Sequence, residues 1–137
     1  MNKSKGFTII ELIVVIAIIA VLASIVLVNV TGYINKGKDA AIKGNLASLL
    51  TNSTVFFDTN ATYTGFSANT TTGCGTGSPI RAAITAAGGT LTCTETATLW
   101  CASSPEKVST STYFCVDSSG KKSESTTAIC ASGACPS

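Results

Sequence analysis

From Phe7 to Val30 the chain reads FTIIELIVVIAIIAVLASIVLVNV, 24 residues carrying one charge, Glu11. At 1.5 Å of rise per residue, a helix of that length spans about 36 Å, enough to cross a bilayer. Beyond Val30 the chain turns polar, but Ile34, Ala41, Ile42, Leu46, Leu49, Leu50, Ser53, Phe56 and Phe57 recur at spacings of three, four and seven. Those spacings put one apolar stripe on a helix. The pattern therefore predicts one helix from about Phe7 to Asp58, apolar all round in its first half and amphipathic in its second. Gly32, Gly37 and Gly44 each cost about 1 kcal/mol against alanine in a helix interior, which favours bending near them.

Asn60 to Gly77 is rich in Thr, Gly, Ser and Asn, with Tyr63 and Phe66 as anchors, and reads as a long loop. Ser78-Pro79 offers an N-cap followed by proline at the first helical position, and Gly88-Gly89 a stop, predicting a short helix over 79–87. Strands are expected at Thr96 to Ala102, Ser111 to Val116 and Ser125 to Ala131, with a weaker one at Thr90 to Thr94. Ser103 to Lys107 reads as a break, and Asp117-Ser118-Ser119-Gly120 as a type I turn with glycine at the left-handed position. The fold class is α+β: a small antiparallel meander, with bulk from Trp100, Tyr113 and Phe114, laid on the amphipathic half of the long helix.

The formal charge of +2 comes from Lys3 and Lys5, which leaves seven basic against seven acidic groups from Phe7 onward. No basic patch argues for nucleic acid. A near-neutral surface with few charges suits packing against copies of itself. All six cysteines, Cys74, Cys93, Cys101, Cys115, Cys130 and Cys135, lie beyond the apolar run, and an even number in a small exported domain reads as a disulfide framework. With no histidine and no C-x-x-C pair, a structural zinc site is not expected, and no metal or cofactor is assigned. Of the fifteen possible pairings, the preferred set is Cys74 with Cys93 around the short helix, Cys101 with Cys115 across neighbouring strands, and Cys130 with Cys135 at the tail.

Enzymatic chemistry finds no foothold. The commonest general base is missing, and Asp58, Glu95, Glu106, Asp117 and Glu124 are scattered without paired spacing. The cysteines have no histidine partner. Gly73-Cys74-Gly75-Thr76-Gly77 lacks the lysine and helix that complete a P-loop.

Two plain readings of the apolar run are a single-span anchor and a cleaved secretory signal, the latter supported by the preceding lysines and by Val21-Leu22-Ala23. Glu11 argues against both, because an unpaired acid in hydrocarbon costs about 2.5 to 3.5 kcal/mol on insertion scales. No base follows until Lys36. Cleavage before Phe7 would create an α-amino group one helical turn from Glu11, at i to i+4. The same amine could instead meet Glu11 of a neighbouring subunit.

Lys5-Gly6-Phe7-Thr8-Ile9-Ile10-Glu11-Leu12-Ile13 resembles the type IV prepilin signature: a short basic leader ending in glycine, then phenylalanine, then glutamate fifth, then an apolar helix. The resemblance covers about 25 residues and also includes pseudopilins. It implies that a prepilin peptidase cleaves between Gly6 and Phe7 and methylates the new amine. Residues 1–6 are then a leader peptide, 7–30 a transmembrane and filament-core helix, 31–58 the amphipathic half of that helix, and 59–137 a disulfide-stapled head. The subunit waits in the cytoplasmic membrane, then inner-membrane assembly machinery adds it to a helical homopolymer on the cell surface. There, Glu11 pairs with the Phe7 amine of a neighbour.

One departure from the family pattern is the absence of proline before Pro79, which bears on whether the helix kinks. The segment from Tyr113 to Gly120 also resembles the last strand and turn of many pilin and pseudopilin heads. Alternatives are a pseudopilin of a type II secretion or DNA-uptake system, and a minor tip pilin acting as a binding module. Pseudopilin heads often carry a calcium site of clustered carboxylates, whereas Asp117 and Glu124 stand apart from other acids. A head of this size without a basic stripe leaves little surface for a tip ligand.

Overall fold

A computed structural model describes residues 6–127, 130 and 133–136. The basic residues Lys3 and Lys5 lie outside them. The elements run α1 (Ile9–Asn60), α2 (Pro79–Ala86), β1 (Thr92–Glu95), β2 (Trp100–Pro105), β3 (Tyr113–Asp117) and β4 (Lys122–Ser125). The strands form one antiparallel meander in the order β1-β2-β3-β4. A long N-terminal helix and a small antiparallel sheet make the α+β class expected from the pattern.

The chain divides after Ile34 into two units. The first is the apolar part of α1, with Ile9, Ile10, Leu12, Ile13, Ile18, Leu22 and Leu27 all more than half exposed. Helix α1 is long and apolar enough to cross a membrane by length and composition. It continues helical through Gly32, Gly37 and Gly44, and a Cβ added at any of the three would meet nothing within 4 Å.

The second unit holds the core. From α1 it receives Asp39, Ile42, Leu46, Leu49, Ser53 and Phe56, buried at alternating spacings of three and four. Phe66 lies 5.0 Å from the Trp100 ring and 5.3 Å from Phe56, centroid to centroid, and Ile80 and Ile84 of α2 close the cluster with Leu91, Ala102 and Val116. Of the residues expected on the helical stripe, Ile34, Ala41 and Phe57 are exposed, and Asp39 takes a core position that a hydropathy pattern does not assign to an acid. Its carboxylate accepts the backbone N–H groups of Lys107 and Val108, the latter at 2.9 Å. A buried acid is tolerated because those two bonds satisfy it.

Strand boundaries shift from expectation. β2 begins at Trp100 rather than Thr96 and runs through Ser103-Ser104-Pro105, the stretch expected to be a break. Ser103 and Ser104 are buried, and the Ser104 hydroxyl accepts the Thr90 N–H at 3.2 Å. The last strand lies at Lys122–Ser125, before the segment expected, while 128, 129 and 131 fall outside the described residues. Ser78 occupies the N-cap position of α2 but its side chain makes no capping bond. The Asp117–Gly120 turn closes as expected, with Gly120 at φ +83° and its N–H donating to the Asp117 carbonyl at 3.0 Å.

The 61–78 segment is a folded loop. Asn69 Oδ1 accepts the N–H groups of Thr71, Thr72 and Gly73, and Glu95 accepts those of Gly65, at 2.7 Å, and Ser67. Gly73 has to be glycine: a Cβ there would lie 1.9 Å from the Phe66 carbonyl oxygen.

Sheet register decides the disulfides. Cys74–Cys93 forms as expected, on the face that packs against α1. The other two preferred pairings are corrected: the bonds are Cys101–Cys130 and Cys115–Cys135, with Cα separations of 5.5 Å and 5.8 Å. Cys101 is opposite Asp117 and Cys115 opposite Ser103, so the two cysteines share a face but sit two residues out of register. Such diagonal neighbours lie about 7 to 8 Å apart, too far for a bond. The C-terminal segment crosses that face and supplies one cysteine to each, forming a buried four-cysteine cluster opposite the helix.

Asp117 ties the tail to the sheet. Burial alone would raise the pKa of its carboxyl, but hydrogen bonds from the Ser119 hydroxyl and from the N–H groups of Cys135, Ser119 and Lys121 outweigh burial and hold it below the ordinary value. A carboxyl with a lowered folded pKa adds stability above its unfolded value of about 4 and loses it as pH falls through the folded value. Melting temperatures of the wild type and Asp117→Asn should therefore differ most at neutral pH and converge as the pH drops below about 4. A constant gap across that range would remove Asp117 from the acid response.

Candidate functional site

The chemistry-bearing residues at the amino-terminal end of α1 are Gly6, Phe7, Thr8 and Glu11. Gly6 has no heavy atom within 4 Å of a Cβ position, and Phe7 is 82% exposed, so the peptide bond between them is open to an enzyme. The helix starts at Ile9, which leaves Phe7 and Thr8 outside its first turn. In the uncleaved chain the Phe7 nitrogen and Glu11 are therefore not both inside the helix, the setting that an i to i+4 relation needs.

Glu11 is partnered differently within the chain. The Thr8 N–H donates to Glu11 Oε2 at 2.9 Å, the Thr8 hydroxyl donates to the same oxygen at 2.7 Å, and the Glu11 N–H donates to Thr8 Oγ1 at 3.3 Å. Thr8 thus sits at the N-cap and Glu11 three positions on, the reciprocal arrangement of a capping box. Its carboxylate also lies where the positive end of the helix dipole favours an anion. Sequence reasoning passed over Thr8, although Thr-x-x-Glu before an apolar run is the written signal for this cap.

In the second unit, Lys43 of α1 bridges Glu106 at 2.6 Å and Glu124 at 2.5 Å, and its ammonium lies 5.5 Å from the centroid of the Phe114 ring. Hydrogen bonds to the two carboxylates raise its pKa despite burial. Lys43 and Asp39 fasten α1 to β4 and the loop after β2, a structural role. All six cysteines are in disulfides. The sulfurs of Cys101, Cys115 and Cys130 come within 4.8 Å of one another, but bonded sulfurs offer no thiolate to a metal.

Residues 1–27 match the family model described as the prokaryotic N-terminal methylation motif. The chain is 50% identical over 48 residues to the type IV major alpha-pilin of Moraxella bovis, a stretch covering 35% of this chain and 30% of that protein. It is also 50% identical over 48 residues to fimbrial protein Q of the same organism, covering 35% and 31%. To the type IV major pilin protein PilA of Myxococcus xanthus it is 38% identical over 64 residues, covering 47% and 29%. The chain thus aligns with under a third of the length of these curated relatives. No solved structure matches.

Type IV pilins are structural subunits and not enzymes, and this chain shares with them the methylation motif and the aligned stretch of 48 to 64 residues. The chain thus carries the N-terminal methylation motif, and its N-terminal segment is similar to that of type IV pilins.

Proposed function

We propose that the chain is a structural subunit of a type IV pilus. Residues 1–6 are removed as a leader, residues 7–30 form the membrane and then filament-core helix, 31–58 its amphipathic continuation, and 59–137 the head. Prepilin peptidase cleaves between Gly6 and Phe7 and methylates the Phe7 amine. The subunit is held in the cytoplasmic membrane until inner-membrane machinery adds it to a homopolymer on the cell surface.

The observation that carries this reading is a helix start that holds one carboxylate, Glu11, four residues after an exposed Phe7, followed by apolar side chains with no partner inside the described chain. Exposed apolar surface on this scale must be covered by lipid or by other helices, at about 25 cal/mol gained per Å² removed from water. In a filament the carboxylate compensates the methylated amine of a neighbour, because burying that amine alone would be costly. The relatives bear names of major pilins and a fimbrial protein, which supports a filament subunit over a secretion pseudopilin.

Mass spectrometry of the mature protein is expected to find an N-terminus at Phe7 carrying one methyl group. An N-terminus at Ser24 would restore the secretory signal reading. In sheared surface filaments the chain should be a stoichiometric component, and trace amounts would exclude the main-subunit role.

A further inference from the structure

The C-terminal end of α1 carries a second chemical signal. Asp58-Thr59-Asn60-Ala61-Thr62 contains the Asn-x-Thr acceptor of N-glycosylation with an acid two residues before the asparagine. A hydroxyl two residues after the asparagine and a carboxylate two before it give a transferring enzyme two handles besides the amide. Asn-x-Ser/Thr also occurs at Asn29, Asn52 and Asn69 among the described residues, but there the residue at the acid's position is Leu27, Leu50 or Ser67.

The fold separates the four in the same way. Asn29 lies in the apolar run, and Asn52 is half-buried within α1. The Asn69 amide oxygen is committed to the loop, where it accepts the N–H groups of Thr71, Thr72 and Gly73. Asn60 is the last residue of α1, and Asp58, Thr59, Asn60 and Ala61 are all exposed. Ala61 turns the chain out of the helix at φ +56°.

The Asn60 amide donates to the Phe56 carbonyl at 2.8 Å, and the Ala61 N–H to the Phe57 carbonyl at 2.7 Å. Both bonds belong to a terminal turn, the part of a helix that frays. The Thr62 hydroxyl meets the Ala97 carbonyl at 3.0 Å and the Thr64 hydroxyl at 3.1 Å, and it accepts the Thr64 N–H at 3.1 Å, contacts to be released when the site is read.

We propose that Asn60 is an N-glycosylation site, modified from a lipid-diphosphate-linked oligosaccharide by an oligosaccharyltransferase on the outer side of the cytoplasmic membrane. The Asn60 Nδ2 forms a bond to the anomeric carbon of the first sugar. The bond from that carbon to the diphosphate oxygen breaks, the lipid diphosphate leaves with the electron pair, and one amide proton passes to the enzyme's base. The Asp58 carboxylate faces a cation of the transferase, and the Thr62 hydroxyl is read by hydrogen bonding. A glycan here stands at the junction of α1 and the 61–78 loop, where it would add a bulky, hydrated cover. The inference rests on the reading that the head is exported.

The test uses mature protein from its own cells, reduced and digested with trypsin, which cleaves after Lys43 and Arg81 and so isolates residues 44–81. Fragmentation that preserves glycans is expected to place a sugar mass on Asn60. Asn60→Gln and Thr62→Val should abolish it, and Thr62→Ser should keep it. Asp58→Ala should lower occupancy at least about tenfold, a common effect of losing one charged contact across an interface.

An unmodified 44–81 peptide, a mass on Asn52, Asn69 or a hydroxyl residue, or full occupancy in Asp58→Ala would each overturn the proposal. The same digest reports the 7–36 peptide. Its presence with a bare Asn60 fails this inference alone, whereas its absence fails the processing on which the inference rests.

Discussion

Glu11→Ala is expected to yield a subunit that is cleaved, inserted in the membrane and absent from filaments. The alanine variant enters lipid more easily, because it removes a charge costing about 2.5 to 3.5 kcal/mol in the bilayer. It fails afterwards, when the neighbour's Phe7 amine must be buried without a counter-charge. Removing one partner of a buried pair costs about 3 to 5 kcal/mol, and each 1.4 kcal/mol is a factor of about ten, so subunit addition should fall by at least roughly a hundredfold.

The capping box supplies the control for this result. Glu11→Gln retains an oxygen for the Thr8 N–H, since glutamine serves in that position of the box, but it carries no charge. Thr8→Val does the reverse: it costs about 1 kcal/mol of capping and leaves the carboxylate in place. Pilus yield measured by shearing should therefore collapse in Glu11→Gln as in Glu11→Ala and change little in Thr8→Val. Normal yield from Glu11→Gln would mean that Glu11 acts through the helix cap and that the charge pairing is wrong.

How far the sequence disclosed these features depends on whether each signal is local. The helix was legible because hydropathy and the 3.6-residue period are read along the chain itself, and its end was placed two residues short of Asn60. Glu11 stood out for the same reason, as one charge in an apolar run. Asp39 did not, because its partners, the N–H groups of Lys107 and Val108, are almost seventy residues away and no periodicity announces them.

Ser103 and Ser104 misled in the opposite direction. Small polar residues before a proline are ordinary turn chemistry, but here they are buried in a strand, with one hydroxyl answering a backbone N–H from the segment before β1. That error displaced the expected strand, and with it the register on which any cross-strand disulfide assignment depends.

The register also fixes the second large effect. Replacing Cys115 and Cys135 together with alanine is expected to lower stability by about 3 kcal/mol, the chain-entropy value for a loop of roughly twenty residues. For a head of this size that corresponds to a fall of roughly 12 to 24 °C in melting temperature. The tail would then be held by Cys101–Cys130, the Cys135 N–H to Asp117 and the Lys121 ammonium to the Pro136 carbonyl.

A non-reduced tryptic digest of the wild type tests the connectivity without any substitution. Peptide 123–137 carries both Cys130 and Cys135, whereas Cys101 lies in 82–107 and Cys115 in 108–121. The observed bonds tie 123–137 to both of the others. Pairing of Cys101 with Cys115 and Cys130 with Cys135 would instead release 123–137 as a free, internally bridged peptide, and finding it free would overturn the sheet register as well as the disulfides. The double alanine variant separates constraint from mere proximity: an unchanged melting temperature would mean that the strands and the Asp117 contacts hold the tail by themselves.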